Sequence, residues 1–247
     1  MVEPMPAMTR SPAREAFPGD MNLHAIGPPQ GFWGLLTDTE QAVLSALGRM
    51  SVFPPGATMC VEGEPATHVF VLIAGWVKIL SVTSEGHELV LALRGHGDIV
   101  GELAGEATGY RTATVQAIDT VRSLIVGHDR FSSFLDSHPG ASHAYRRVVT
   151  QRWRDAAAML RRRSVTSGAQ RLAVLLLDLA GQHGTGSGGE IYLAMPLSQE
   201  ELASLAGASR ATVTRALSNW RQRGFIRTGQ RRITIIDLPA LRQIASD

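Results

Sequence analysis

Two clusters in the sequence have the residue types and spacing to do chemistry. The first runs Asp98-Ile99-Val100-Gly101-Glu102-Leu103 and, after seven residues, Arg111-Thr112-Ala113-Thr114-Val115. A glycine-containing loop turns backbone N–H groups toward an anion. Arg111 adds a charged fork and Thr112 a neutral donor. The Glu102 carboxylate accepts hydrogen bonds of the kind a sugar 2′-hydroxyl donates. Loop amides, one arginine, one hydroxyl and one carboxylate match a ribose cyclic phosphate. The same residues also admit a plain Glu102–Arg111 ion pair that braces a surface loop.

The second cluster lies between Leu197 and Phe225. Ser198 and Glu201 have the spacing of a capping box that starts a helix. Ala203 is small where two helices cross, and Gly207 suits the left-handed turn after the first helix. Ser209 caps a second helix whose Val213, Leu217 and Trp220 face inward. Arg210, Ala211, Thr214 and Arg215 are left pointing outward near its N-terminus. That end enters the major groove in a helix-turn-helix, and arginine reads guanine there. Phe225 to Ile236 then reads as a hairpin around Thr228-Gly-Gln-Arg231-Arg232, a basic wing for phosphates. The expected DNA contacts are Ser198, Gln199, Ser209, Arg210, Ala211, Thr212, Thr214, Arg215 and Arg231. A helical hairpin with merely solvated arginines is the bland alternative.

The elements that must hold these clusters follow from pattern. Residues 1–31 hold six of the twelve prolines and read as a disordered leader. Thr37 to Met50 predicts a short amphipathic helix. Short β-rich runs follow at Val69–Ala74, Val77–Val82, Glu88–Leu93, Thr112–Ala117 and Val121–Val126, divided by turn glycines. Their spacing predicts an antiparallel roll. Residues 128–136 read as a short helix, and a long one runs from His138 to Arg163 with Pro139 in its first turn. Val149, Trp153, Ala156 and Leu160, spaced 4, 3 and 4, form a coiled-coil seam suited to a second copy of the chain. Packing of that stripe on its own roll is the alternative. A helix over Ser167–Gln182, a glycine-rich loop and a strand at Ile191–Met195 lead into the helix-turn-helix. The expectation is an α+β chain: leader 1–31, antiparallel β-roll 32–137, long dimerisation helix 138–163, and winged helix-turn-helix 164–247.

Composition narrows the function. The chain has 247 residues and a net charge of +2. That sum hides two halves: residues 1–145 carry eight basic and 15 acidic side chains, a net −7, and residues 146–247 carry 16 basic and seven acidic, a net +9. Such asymmetry points to an anionic partner for the second half. All 16 of those basic residues are arginine, and the chain's single lysine, Lys78, lies in the first half. The lone Cys60 excludes a disulfide framework, a cysteine zinc site and a four-cysteine iron–sulfur cluster, and fits a reducing cytoplasm. No apolar run approaches the roughly 18 residues of a membrane span. A β-roll can also house a cupin-type metal enzyme. The eight histidines are scattered, with no His-x-His pair and no nucleophile–base set, so no catalytic or metal residues are expected.

From about Leu35 to Ala245 the chain resembles the cyclic AMP receptor protein (catabolite activator protein) family of bacterial transcription regulators. Gly101-Glu102-Leu103 and Arg111-Thr112-Ala113 fall on the family's phosphate-binding cassette, and Ser209 to Arg215 on its recognition helix. The resemblance implies a homodimer on a near-palindromic operator, controlled by cyclic AMP or cyclic GMP, with RNA polymerase as a further partner. It implies effector contacts from Gly101, Glu102, Leu103, Arg111 and Thr112. It places Trp153, Ala156 and Ala157 of the long helix on the base side, counting back from Arg171. Two departures stand out. Family members that read adenine present hydroxyls where this chain has Ala156 and Ala157, which leaves purine choice open. The glutamate usual after the first recognition-helix arginine is Ala211, so one base pair loses a reader. Haem-sensing relatives need axial ligands, and lone His87 and His96 do not supply a pair, so no haem is expected. The alternative function is a regulator of the same fold that is constitutive or answers another effector, with Glu102 and Arg111 structural.

Overall fold

A computed structural model describes residues 31–246 apart from 83–84, 87, 104–108, 166, 188, 195–196 and 230–231. The chain enters at Phe32, goes through a short 3-10 turn at Trp33–Leu35, and starts helix α1 (Asp38–Leu47). Thr37 caps that helix in a reciprocal box with Glu40. The helix ends three residues before the expected Met50. Arg49 and Met50 instead begin strand β1 (Arg49–Phe53), whose backbone pairs with Val121–Ile125. Ladder bonding there outweighs the helical propensity of two residues.

The roll is two four-stranded antiparallel sheets. One has the order β1-β8-β3-β6 and the other β2-β7-β4-β5. The added strands are β2 (Thr58–Cys60), β3 (His68–Ala74), β4 (Val77–Val82), β5 (Glu88–Arg94), β6 (Ile99–Val100), β7 (Thr114–Ala117) and β8 (Val121–Gly127). Strand β3 is apolar almost throughout because both its faces are covered. Val69 and Val71 meet helices, whereas Phe70 and Leu72 turn inward to Val77, Val100 and Val115. The covering helices are α1, α2 (His128–Ser137) and the first turns of α3 (Pro139–Val165), through Phe131, Phe134, Ala141, Ala144 and Tyr145. At ~1.5 Å per residue, α3 is about 40 Å long.

The remainder begins with α4 (Gly168–His183), capped by Ser167, and β9 (Thr185–Ser187) and β10 (Glu190–Ala194). Helices α5 (Gln199–Ala206) and α6 (Arg210–Gln222) follow, then β11 (Ile226–Gly229), β12 (Arg232–Ile235) and a closing α7 (Leu238–Ser246) that the sequence reading did not anticipate. Their core joins Leu172, Leu176, Leu202, Val213, Trp220 and Leu241, and it also takes in Val90 and Leu93 of β5. One apolar cluster therefore crosses from roll to helix-turn-helix. Polar contacts reinforce the joint: Lys78 Nζ donates to Glu201 at 2.9 Å, and the Val90 N–H donates to Ser204 Oγ at 2.9 Å.

Candidate effector and DNA sites

The turn after β6 delivers Gly101 and Glu102, and the start of the β7 approach delivers Arg111. Gly101 sits at φ +79°, and a Cβ there would collide with Arg111 Nη1. Only glycine satisfies both demands. The space it leaves lets Arg111 Nη1 donate to the Gly101 carbonyl at 3.0 Å. Arg111 is 4% exposed and lies over the Phe70 ring at 5.6 Å. Its Nη2 is buried and has no hydrogen-bond partner among the described residues. A buried guanidinium nitrogen without an acceptor is costly, and an anion is what would satisfy it. Thr112 and Leu103 are exposed beside it.

Glu102 is 2% exposed, and its carboxylate is engaged by Arg152 of α3 rather than by Arg111. The simple Glu102–Arg111 brace is thus replaced by a longer connection. Arg152 also donates to the Ile99 carbonyl at 2.7 Å and lies 3.6 Å from Asp98. This guanidinium joins the long helix to both acids of the cassette. Sequence reading missed it, although its place four residues before Ala156 was a usable signal: positions i and i+4 share a helix face. Trp153 and Ala156, expected on the base side, are exposed on this chain, and Ala157 is half-buried.

Of the seam residues, Val149 packs partly on the helical layer of its own roll. Trp153 is 73% exposed and Leu160 67% exposed, and Ala156 is exposed with them. The stripe divides into an upper residue used within the chain and three that face outward.

In the second site, Ser198 caps α5 in a box with Glu201. Gly207 holds the left-handed turn at φ +59°, and Ser209 caps α6 by accepting from the Thr212 N–H. Arg171 of α4 donates to the Ala206 and Gly207 carbonyls at 2.9 and 2.6 Å, closing the C-terminus of α5. Val213, Leu217 and Trp220 are buried as their spacing predicts. Ser198, Gln199, Ser209, Arg210, Ala211, Thr214 and Arg215 are exposed, and Thr212 is half-buried under the cap. Thr214 Oγ1 lies 2.6 Å from Gln199 Oε1, so residues from both helices share one surface. Arg231 lies outside the described residues, as do the leader through residue 30, His87 and Thr166 of the expected hinge.

No helix among the described residues is long and apolar enough to cross a membrane. No group of three or more metal-ligating side chains occurs among them. The family model for the cyclic nucleotide-binding domain matches residues 50–138, and that for the Crp-like helix-turn-helix domain matches residues 170–244. A CRP-like cAMP-activated global transcriptional regulator of Mycobacterium tuberculosis is 34% identical over 83% of this chain and 92% of its own length. The cyclic AMP receptor protein of Thermus thermophilus is 28% identical, covering 87% and 95%. Among solved structures, a CRP-family transcriptional regulator of Thermus thermophilus is 25% identical with a TM-score of 0.65, covering 80% of this chain and 97% of that one.

Proposed function

The chain belongs to the cyclic AMP receptor protein family of DNA-binding transcription regulators, and on that premise we propose that it is a homodimer whose operator binding is controlled by cyclic AMP or cyclic GMP in the roll. The observation that carries the effector reading is the buried Arg111 Nη2, which has no hydrogen-bond partner among the described residues, beside the left-handed Gly101. Arg111 and Thr112 would hold the cyclic phosphate, Gly101 and Leu103 would frame it, and Glu102 would accept from the ribose hydroxyl through its second oxygen. A bound nucleotide supplies the negative charge that this arginine lacks. Cyclic AMP is the first candidate because the mycobacterial relative is described as cAMP-activated. Cyclic GMP stays with it because Ala156 and Ala157 offer no side-chain hydrogen bond to either purine.

Arg152 connects the site to the long helix. A change at Glu102 alters the partner that holds Arg152 and so biases how α3 lies on the roll. The effector acts only through better affinity for the DNA-competent arrangement. The outward residues Trp153, Ala156 and Leu160 support an α3–α3 dimer seam. Two recognition helices would then stand about 34 Å apart, one turn of DNA. Arg210, Thr214 and Arg215 would read base edges, and Ser198, Gln199, Ser209, Ala211, Thr212 and the wing's Arg231 are the further expected DNA contacts. RNA polymerase is the expected further partner.

Calorimetric titration with both nucleotides, paired with gel shifts on a near-palindromic promoter, tests this reading. Saturable binding that Arg111→Ala abolishes, with tighter operator binding, is the expected result. The second reading is a regulator that is constitutive or answers another effector. It is favoured by the Glu102–Arg152 pair, which already satisfies the carboxylate. No heat from either nucleotide, with operator binding intact, selects it. Arg210→Ala should cost about 1–3 kcal/mol on the specific site and little on random DNA. Equal losses on both would remove base reading by Arg210.

A further inference from the structure

A cavity of about 530 Å³ opens where three parts of the molecule meet: the roll, α3, and the end of α4. Its lining includes neither Glu102 nor Arg111. The size falls in the range of small-molecule sites, about 300–1,000 Å³. Arg94 at the end of β5 and Arg147 on α3 bring two guanidiniums to it, with Asp98, Gln151, Asp155 and His183 around them.

The charges in this cavity are unevenly paired. Arg152 is committed to Glu102, the Ile99 carbonyl and Asp98. Asp98 is further held by the Gly95 N–H at 2.9 Å and faces His183 at 4.0 Å. Asp155 accepts from Gln151 at 2.9 Å. Arg94, by contrast, donates to its neighbour's carbonyl, Leu93 O, at 2.7 Å, and no carboxylate lies within ion-pair distance of it among the described residues. Burial, with the nearby Arg152 charge, pulls its pKa down to about 10. It is therefore a charged group held in a poorly solvating place. Arg147, contributed by α3, is exposed and likewise has no carboxylate within that distance among the described residues.

We propose that this cleft is a second effector site, which takes a small dianion: a phosphorylated or dicarboxylic metabolite gripped between Arg94 and Arg147. Planar guanidinium forks suit both head groups, because each offers paired oxygens. Asp155 and Gln151 on the same wall accept from, or donate to, a hydroxyl or amine elsewhere on the ligand. Because the walls come from the roll, the long helix and α4, an occupant ties all three together. Arg152 is shared with the Glu102 carboxylate, so the two sites are linked through one side chain. The proposal does not require the cyclic-nucleotide reading.

The test is calorimetry on the full chain with three probes: inorganic phosphate, pyrophosphate and succinate. Saturable binding of at least one is expected, and Arg111→Ala should retain it. Stronger binding of the phosphates or of succinate identifies the head group. Arg147→Glu should weaken it by about tenfold or more, since it removes a charge-assisted bond and adds repulsion. Arg147 is exposed, so this variant should fold; Arg94→Gln, at a more enclosed position, is the companion, with its melting curve as a control. Three results would overturn the proposal: no saturable binding of any probe, unchanged binding in Arg147→Glu, or binding lost in Arg111→Ala. The last would place the anion in the cassette and would leave the cyclic-nucleotide reading intact.

Discussion

Replacing Glu102 by Ala strands the Arg152 guanidinium in a half-closed place with only the Ile99 carbonyl and a more distant Asp98. Breaking such a pair from one side should cost about 2 kcal/mol, read as a lower urea midpoint. Adding Arg152→Met should recover part of the loss, because the orphaned charge goes too; a double-mutant cycle measures the coupling. Burial pushes the Cys60 thiol above the ordinary cysteine range, despite the Arg111 charge. Its alkylation by iodoacetamide should therefore be slow in the native chain and fast in urea; equal rates would contradict the burial. At this scale the sequence was legible where chemistry is local. Gly101, Glu102 and Arg111 stand out by type and spacing, and the structure sets Arg111 on Gly101 while tying Glu102 to Arg152. Arg152 did not, because it reaches the cassette from fifty residues away and only the packing of α3 on the roll brings it there.

Helices with caps were the easiest elements to place. Ser167, Ser198 and Ser209 begin α4, α5 and α6 as their side chains dictate. Gly207→Ala forces an L side chain into the left-handed turn between α5 and α6. It should cost about 1–2 kcal/mol, read in thermal melts, and weaken operator binding by misaiming α6. Unchanged melting would mean that the turn relaxes. Strands β2 and β6 escaped notice because three and two residues are too short for alternation to register. Strand β1 was missed altogether for a different reason: Arg49 and Met50 fit a helical pattern, and their strand state depends on β8, more than seventy residues later. The seam of α3 was read as one stripe, but Val149 is drawn into the helical layer of the roll, where Phe134 and Tyr145 already sit.

At the scale of the molecule, the +9 half divides between the helix-turn-helix and the long helix, and the joint between roll and helix-turn-helix is built from both signs. His183, at the end of α4, lies against Trp76 and near Asp98, Arg94 and His96. Burial holds its pKa below the ordinary histidine value, although Asp98 pulls the other way. The separated state therefore takes up a proton first. The joint keeps the full contribution of His183 above pH about 6.5 and loses it as the pH falls below that value. Glu201 follows at lower pH. Burial raises its carboxyl, but the Ser198 N–H and Lys78 overcome this and hold it below the usual range, so its contribution goes only as the pH falls through that depressed value. Melting between pH 8 and 5 should fall in that direction, and His183→Phe should flatten the first part. The partner of Glu201 carries a last consequence. Lys78 is the single lysine among 24 basic residues, and its side chain is only 14% exposed at the joint. Apart from an α-amino terminus, an amine-selective reagent has one target in the whole chain. The speed of that one acylation is a clock for how often the roll lets go of the helix-turn-helix, and a regulator's ligands can be ranked by how they make it run.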